Sequence, residues 1–351
     1  MRNSCGVSMN RIAYLDSLRA FACIAVILFH VSGRCGYSLE VSSCQQIIMN
    51  VYHSLSLWCV PVFVMISGAL FLNPDKKFSV RKMFTRNILR IVAAFAFWSF
   101  VYALYSFVIS DDPNRVNGFF VQLMRGHFHM WFLFLITGLY LLIPAIKLIV
   151  KDKRITEYFL FCTIILNYAL PFTLELMEVV LPVLQPLVEI MKNNLKSLHF
   201  ADTASFICYF VLGHYLHTTN FSKRMSDLVI MLDIIVCIFI ALAKCNVSNT
   251  SFVVFYHFNS LLVLLQSVSV FLFAKAYIKD VGPVLSSFSR FSFGIYLVHM
   301  FVLYSVIDLG FTPITINPIM GIPLMTVFVL FISFVLITIL SRVNVLNRWV
   351  I

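Results

Sequence analysis

Charged side chains are scarce in this chain. Only 12% of its 351 residues are charged, while 61% are hydrophobic and the mean hydropathy is +0.93. A soluble domain of this composition would lack enough polar surface to cover itself, so the sequence predicts a protein that crosses a membrane several times. The first apolar segment has no small-residue cleavage site, and we interpret it as a retained helix instead of a signal peptide.

Several functional motifs are also missing from the sequence. It contains no glycine-rich phosphate loop, no His-Glu zinc helix and no Gly-x-Ser-x-Gly elbow. The nine cysteines show no metal-ligand spacing, and most lie in apolar runs, where cysteine behaves as a small apolar residue. Cys35 and Cys44 share one predicted outer loop, so a disulfide between them is left open. We expect no metal site.

Polar breaks divide the chain into about ten apolar segments, each near the ~20 residues that a bilayer requires. The sequence therefore predicts an all-α bundle of about ten transmembrane helices that forms a single domain over residues 1–351, with no soluble domain. The predicted spans are 12–33, 47–72, 87–109, 129–150, 156–174, 203–219, 226–244, 251–275, 289–309 and 319–341.

The distribution of basic residues predicts the orientation of these spans. If the N-terminus is inside, nineteen Lys and Arg residues fall on the inner side and six on the outer side, with Arg19 within the first span. This asymmetry satisfies the positive-inside rule and predicts that both termini are cytoplasmic. The net charge of +11 follows mostly from the same bias, so it does not indicate nucleic-acid binding.

Two ionisable groups lie in the first span. Arg19 and His30 are eleven positions apart, which on a helix places them on nearly the same side and roughly 16 Å apart along the axis. Charges within a bilayer are costly and usually serve a function. Asp16 can pair with Arg19 three residues later. Each residue also has a simpler alternative role: Asp16 could interact with the helix dipole, and Arg19 could extend its side chain to the lipid headgroups. His30 could form a structural hydrogen bond with a neighbouring helix.

A second basic cluster lies in the inner loop and the start of the third span, where Lys76, Lys77, Arg81, Lys82, Arg86 and Arg90 follow one another. Six cations exceed what orientation requires, and the planar guanidinium group suits polyphosphate. Arg86 and Arg90 are therefore predicted to bind phosphate. Ser67 and Gly68 precede the loop, and Gly68 permits close helix contact or a local break.

The remaining polar candidates open or interrupt other spans. His129 and Trp131 begin the fourth span at a depth similar to that of His30, and Tyr296 and His299 lie in the ninth. The longest outer segment, about 174–202, is either a simple connector or an interfacial cover over an outward-facing site.

These motifs occur in an order that resembles the acyltransferase-3 family of integral membrane acyltransferases. The resemblance rests on Asp16 and Arg19 with His30 eleven residues later, on Ser67-Gly68 with downstream Arg86 and Arg90, and on the runs His129-Met-Trp-Phe-Leu and Gly294-Ile-Tyr-Leu-Val-His299. It covers essentially the whole chain. The chain looks most similar to short stand-alone members that O-acetylate surface polysaccharides, including the type that acts on enterobacterial common antigen.

The resemblance implies acetyl-CoA as the acyl donor and a hydroxyl group on an envelope glycan, or on its lipid-linked precursor, as the acceptor. It further implies a multi-pass protein of the bacterial inner membrane whose partners are these substrates and membrane lipids. Arg86, Arg90, Arg19 and Ser67 would hold the donor. His30 would be a general base or form a transient acyl-histidine, with Asp16 orienting Arg19.

On the acceptor side, the expected residues are His129, Trp131, Tyr296 and His299. The alternative function is a transporter or flippase with the same topology and no acyl transfer, although matching broken spans in two halves, typical of such folds, are not found. A non-enzymatic assembly or sensor subunit is the third option.

Overall fold

The computed structural model describes residues 12–38, 42–74, 78–109, 114–197, 201–245 and 257–351. Within these ranges the chain is helical and contains no strand. In this described part of the chain, seven helical segments are long and apolar enough to cross a membrane. The all-α, membrane-spanning class predicted from the sequence is confirmed, while the count of ten spans and the position of the termini stay predictions.

The helices are numbered in chain order. They are α1 Ala13–Ser38, α2 Ser43–Ser56, α3 Cys59–Phe71, α4 Val80–Lys82, α5 Leu89–Ile109, α6 Arg115–Arg125, α7 Trp131–Val150, α8 Lys153–Ile164, α9 Leu170–Val180, α10 Gln185–Lys196, α11 Ala201–Thr218, α12 Lys223–Cys245, α13 Leu261–Tyr277, α14 Pro283–Asp308, α15 Pro318–Leu340 and α16 Asn344–Trp349.

Some span boundaries differ from the prediction. The second predicted span, 47–72, begins earlier and is divided into α2 and α3, which meet at Leu57 and Trp58 just before Pro61. Proline lacks an N–H group and is tolerated best in the first turn of a helix, which favours the start of a new helix here. The fifth, 156–174, runs on through a π-helix, Ile165–Ala169, and α9 to Val180.

Helix α1 lies at the centre of the bundle and packs against α2, α3, α13, α14 and α15. Its alanines Ala20 and Ala22 are fully buried, and such small side chains let neighbouring helices approach closely. This central position surrounds both Arg19 and His30 with protein on several sides.

The contacts of α1 also show the direction of its neighbours. Asp16 accepts a hydrogen bond from Ser289 of α14, and His30 lies beside His299 of the same helix, so α1 and α14 are parallel. Phe29 contacts Phe258, which precedes α13, whereas Tyr14 contacts Phe271 further along that helix. Helix α13 is therefore antiparallel to α1. These directions agree with the predicted topology, in which α1, α13 and α14 are the first, eighth and ninth spans and successive spans alternate in direction.

Helices α3 and α11 cross at two glycines. A Cβ atom on Gly68 would lie 1.8 Å from the carbonyl oxygen of Phe210, and one on Gly213 would lie 2.0 Å from that of Met65. No side chain fits at either position, so the backbones touch directly. The close helix contact considered for Gly68 is therefore present, and it fixes Ser67 beside the interior of the bundle.

The segment predicted as a connector or cover contains α9 and α10, joined by a 3₁₀ turn, Pro182–Leu184. Lys192 of α10 lies 2.8 Å from Glu175 and also bonds Glu178, both on α9. Burial lowers the pKa of Lys192, but the two carboxylates outweigh this effect and the pKa lies above its ordinary value. The ion pairs hold the two helices together as a hairpin, and a covering role stays a prediction.

Candidate active site

The predicted site residues gather into two clusters at different depths of the bundle. The Arg19 cluster consists of Asp16, Arg19, Ser67, Arg90 and Tyr140. The His30 cluster consists of His30, His127, His129, Tyr296 and His299. Since α1 carries members of both, their separation is about 16 Å along its axis.

In the Arg19 cluster, Arg19 lies 3.2 Å from the carboxylate of Asp16. Ser289 donates a second hydrogen bond, of 3.1 Å, to the same carboxylate oxygen. Both contacts restrict the Asp16 carboxylate, so the ion pair considered in the sequence is present; that Asp16 orients Arg19 for catalysis stays a prediction. The other carboxylate oxygen of Asp16 is buried without a hydrogen-bond partner within the described part of the chain.

Tyr140 connects the remaining members of this cluster. Its hydroxyl group lies beside Ser67 and within electrostatic range of both Arg19 and Arg90. Tyr140 was not predicted from the sequence, because it lies in an apolar run of α7 and has the pattern of an ordinary core aromatic. A tyrosine hydroxyl here adds one neutral hydrogen-bonding group between two cations.

Arg86 and Arg90 occupy different environments. Arg86 lies in a π-helix, Met83–Ile88, and is exposed. Arg90 is partly buried, lies over the ring of Phe293 at 5.3 Å, and donates a hydrogen bond to the main-chain oxygen of Ile351. The two guanidinium groups are close enough to interact electrostatically. Arg86 therefore adds positive charge at the surface, next to Arg90, whose side chain is held by its contacts with Phe293 and Ile351. Lys76 and Lys77, also predicted in this basic cluster, lie outside the described residues.

The His30 cluster brings together imidazole rings from three parts of the chain. The ring of His30 lies 5.3 Å, centroid to centroid, from that of His299, which lies 5.3 Å from that of His129. Tyr296 donates its hydroxyl hydrogen to the main-chain oxygen of His129. The fold therefore places three of the four predicted acceptor-side residues around His30.

The tautomer of His299 follows from its contacts. Its Nδ1 lies 2.6 Å from the carbonyl oxygen of Tyr296, and because a carbonyl only accepts, Nδ1 carries the hydrogen. In the neutral ring, Nε2 then carries a lone pair. The Nε2 atoms of His299 and His129 are both buried and have no hydrogen-bond partner among the described residues. Such atoms can bind a substrate hydroxyl group.

His127 extends the cluster and was not predicted from the sequence. Its Nδ1 lies 2.7 Å from Nδ1 of His129, and its ring stacks on Tyr102 at 4.3 Å. His127 also lines a cleft of about 660 Å³, which continues along α6 and the beginning of α7. Its position two residues before His129, in the His127-Phe-His129 sequence, was the one available signal.

Trp131, the fourth predicted acceptor-side residue, lies slightly apart. It lines the same cleft and stacks on Phe258 with ring centroids 5.9 Å apart. Phe128 joins the cleft to the cluster, because its ring lies 5.6 Å from that of His30. The cleft therefore reaches the edge of the His30 cluster.

Two further sequence predictions concern a disulfide and a metal site. Cys44 is exposed, and the disulfide left open with Cys35 stays open, because the Cys35 side chain lies outside the described part of the chain. No group of three or more His, Cys, Asp or Glu residues able to hold a metal ion occurs among the described residues.

The helical bundle and its two internal polar clusters define a multi-pass membrane protein with a candidate catalytic centre among its helices. A family model described as an acyltransferase domain, Acyl_transf_3, matches residues 12–338. The chain belongs to this family, the acyltransferase-3 family, and is a membrane acyltransferase. Comparison with curated proteins and with solved structures gives no match.

Proposed function

We propose that this protein is an O-acetyltransferase of the bacterial inner membrane. Acetyl-CoA binds at the Arg19 cluster, and the acceptor is a hydroxyl group of an envelope glycan or of its lipid-linked precursor at the His30 cluster. The proposal rests on one observation. His30 lies beside His299 near one end of α1, with His129 next to His299, whereas Arg19 lies near the other end of α1 in the same cluster as Arg90.

The donor assignment is supported by charge. Arg86, Arg90 and Arg19 carry positive charge in one region, and arginine forms paired hydrogen bonds with phosphate oxygens. Ser67 and Tyr140 supply neutral hydrogen-bonding groups beside them. The CoA phosphates would lie at Arg86 and Arg90, and the narrow pantetheine arm would extend between the helices towards His30.

The chemical step requires a base near the acceptor hydroxyl group. Neutral His30 takes the hydroxyl proton, the hydroxyl oxygen forms a bond with the acetyl carbonyl carbon, and the carbon–sulfur bond breaks to release CoA thiolate, which then takes up a proton. The reacting hydroxyl group donates its single hydrogen to His30, so the free Nε2 lone pair of His299 would accept a hydrogen bond from a neighbouring hydroxyl group of the same sugar. In the alternative route a ring nitrogen of His30 bonds to the acetyl carbonyl carbon and CoA thiolate leaves; the hydroxyl oxygen then bonds to this carbon, its proton passes to Nε2 of His299, and the carbon–nitrogen bond breaks.

Family membership favours this proposal over the transporter and assembly-subunit alternatives. A transporter would move a substrate without forming a new ester, and a structural subunit would bind no acetyl-CoA. One experiment distinguishes the acetyltransferase, the transporter and the structural subunit. Membranes that contain the protein are incubated with [¹⁴C]acetyl-CoA and total envelope glycan. We expect radiolabel in an alkali-labile ester on glycan; acceptor movement without label would support transport, and absence of acetyl-CoA binding would support a structural subunit.

A further inference from the structure

The cleft beside the His30 cluster has a mixed lining. Gln122, Arg125 and His127 supply polar groups, while Phe128, Trp131 and Phe134 supply aromatic faces. Aromatic faces suit the apolar side of a sugar ring, and guanidinium suits a phosphate group. Through Phe128 and His127 the cleft touches the His30 cluster.

Helix α6 folds back along α5 towards the membrane interior. Near its start, Arg115 lies over the ring of Phe107 at 5.1 Å, and further on Phe119 contacts Phe100. At its end, Gly126 lies so close to Phe95 that a Cβ atom would be 2.6 Å from that ring. The order of these contacts makes α6 antiparallel to α5. Ten residues of helix place Arg125 about 15 Å deeper than Arg115.

Arg125 therefore lies within the apolar zone of the bundle. Its neighbours Val121, Met124 and Phe134 expose large apolar side chains beside the cleft. None of the described carboxylates forms an ion pair with Arg125. A charge at such depth is costly unless it binds an opposite charge, and the exposed apolar surface beside it suits a lipid chain.

From this geometry we propose that the cleft binds a saccharide that is joined to a polyprenyl-type lipid through phosphate. Arg125 contacts the phosphate, with Gln122 as a further hydrogen-bond donor, and the aromatic faces hold the sugar whose hydroxyl group enters the His30 cluster. The lipid chain lies against Val121 and Phe134 and leaves sideways into the bilayer. This inference rests on the proposed function and selects the lipid-linked precursor over the finished glycan.

A simpler role for Arg125 must be separated from this one. It lies in the last turn of α6, where a cation stabilises the negative end of the helix dipole. Substitution would then affect stability but not ligand affinity. Arg115 offers a matched control, since it is an exposed arginine of the same helix outside the cleft.

The test measures the dissociation constants of three probes for the full-length protein in phosphatidylcholine nanodiscs. The probes are farnesyl-diphospho-N-acetylglucosamine, farnesyl N-acetylglucosaminide without phosphate, and UDP-N-acetylglucosamine without the lipid chain. We expect the first to bind at least about tenfold more tightly than either of the others. Arg125→Gln should abolish this advantage, while Arg115→Gln should retain it and Arg125→Lys should restore part of it.

Equal binding of all three probes, or no binding of the first, would overturn the inference. So would an unchanged dissociation constant in Arg125→Gln, or loss of binding in Arg90→Gln alone, which would place the probe at the donor site. Competition by nanodiscs containing phosphatidylglycerol would reduce the cleft to a general headgroup site. Label transfer to finished glycan that depends on His30 would then preserve the proposed function while this inference fails.

Discussion

At the scale of single residues, the surroundings of His30 distinguish it from a histidine that only joins two helices. Such a histidine would form a fixed hydrogen bond with a neighbouring helix. His30 instead lies against the ring of His299, whose Nε2 carries a free lone pair, and against Phe128 at the edge of an open cleft. These neighbours leave room for a substrate hydroxyl group whose hydrogen His30 would accept.

Replacement of His30 tests its proposed role. We expect His30→Ala to remain inserted in the membrane and to reduce acetyl transfer by about 10²–10⁴-fold, the usual effect of losing a general base. The measurement is [¹⁴C]acetyl incorporation per amount of membrane-inserted protein. His257→Ala, which changes an exposed histidine outside the cluster, should retain activity. Equal activity of the His30 and His257 variants would exclude a catalytic role for His30.

The two arginines at the donor side give a different kinetic signature. Alanine at both Arg86 and Arg90 should raise the KM for acetyl-CoA well above any change in the KM for acceptor, because phosphate contacts are lost. Lysine should restore binding incompletely if the contacts are bidentate. Arg154→Ala removes an exposed cation from another predicted inner loop and serves as the control. Identical donor KM values in the Arg86/Arg90 and Arg154 variants would leave these arginines as topology anchors.

Sequence patterns identified the residues that are unusual in a membrane. Arg19, His30, His129 and His299 stand out because polar groups are rare in apolar segments. Tyr140 did not, because tyrosine is common in such segments and only packing places its hydroxyl group between Ser67 and the two arginines. Residues whose role depends on a neighbour from another helix escape detection in the sequence alone.

At the scale of helices, the crossing of α3 and α11 depends on the absence of side chains. We expect Gly213→Ala to lower the melting temperature of the purified protein, because a Cβ atom 2.0 Å from the oxygen of Met65 forces the two helices apart; overpacking typically costs about 1–3 kcal/mol. Gly138→Ala is the control, since a Cβ atom there meets nothing within 4 Å. Equal melting temperatures for the two variants would contradict the direct backbone contact.

Hydropathy located most helices but not their interruptions. The π-helix Ile165–Ala169 and the break between α2 and α3 lie inside segments predicted as continuous spans, and the π-helix Met83–Ile88 extends from the predicted inner loop into the start of the third span. These features arise where neighbouring helices provide compensating contacts, which a hydropathy window does not contain. The π-helix at Met83–Ile88 has a consequence for the site, because it leaves Arg86 exposed while Arg90 packs against Phe293.

For the molecule as a whole, transfer from a cytosolic donor to an outer acceptor requires the basic loop and the outer end of α1 to lie on opposite sides of the membrane. In a background without other reactive cysteines, an exposed cysteine introduced by Lys82→Cys should react with an impermeant thiol reagent only from the cytosolic side. The native Cys44, which is exposed at the start of α2, should react only from the outside. Reaction of both from one side would refute the predicted topology.

Transfer across the bilayer is tested most directly by controlling the side on which the donor is supplied. Proteoliposomes of known orientation would contain the acceptor, with [¹⁴C]acetyl-CoA present either only on the Arg86 side or only on the His30 side. We expect acetylated acceptor only when the donor is on the Arg86 side, and a strongly reduced amount with His30→Ala. Equal transfer from donor confined to the His30 side would contradict donor entry at the Arg19 cluster and acyl transfer at His30.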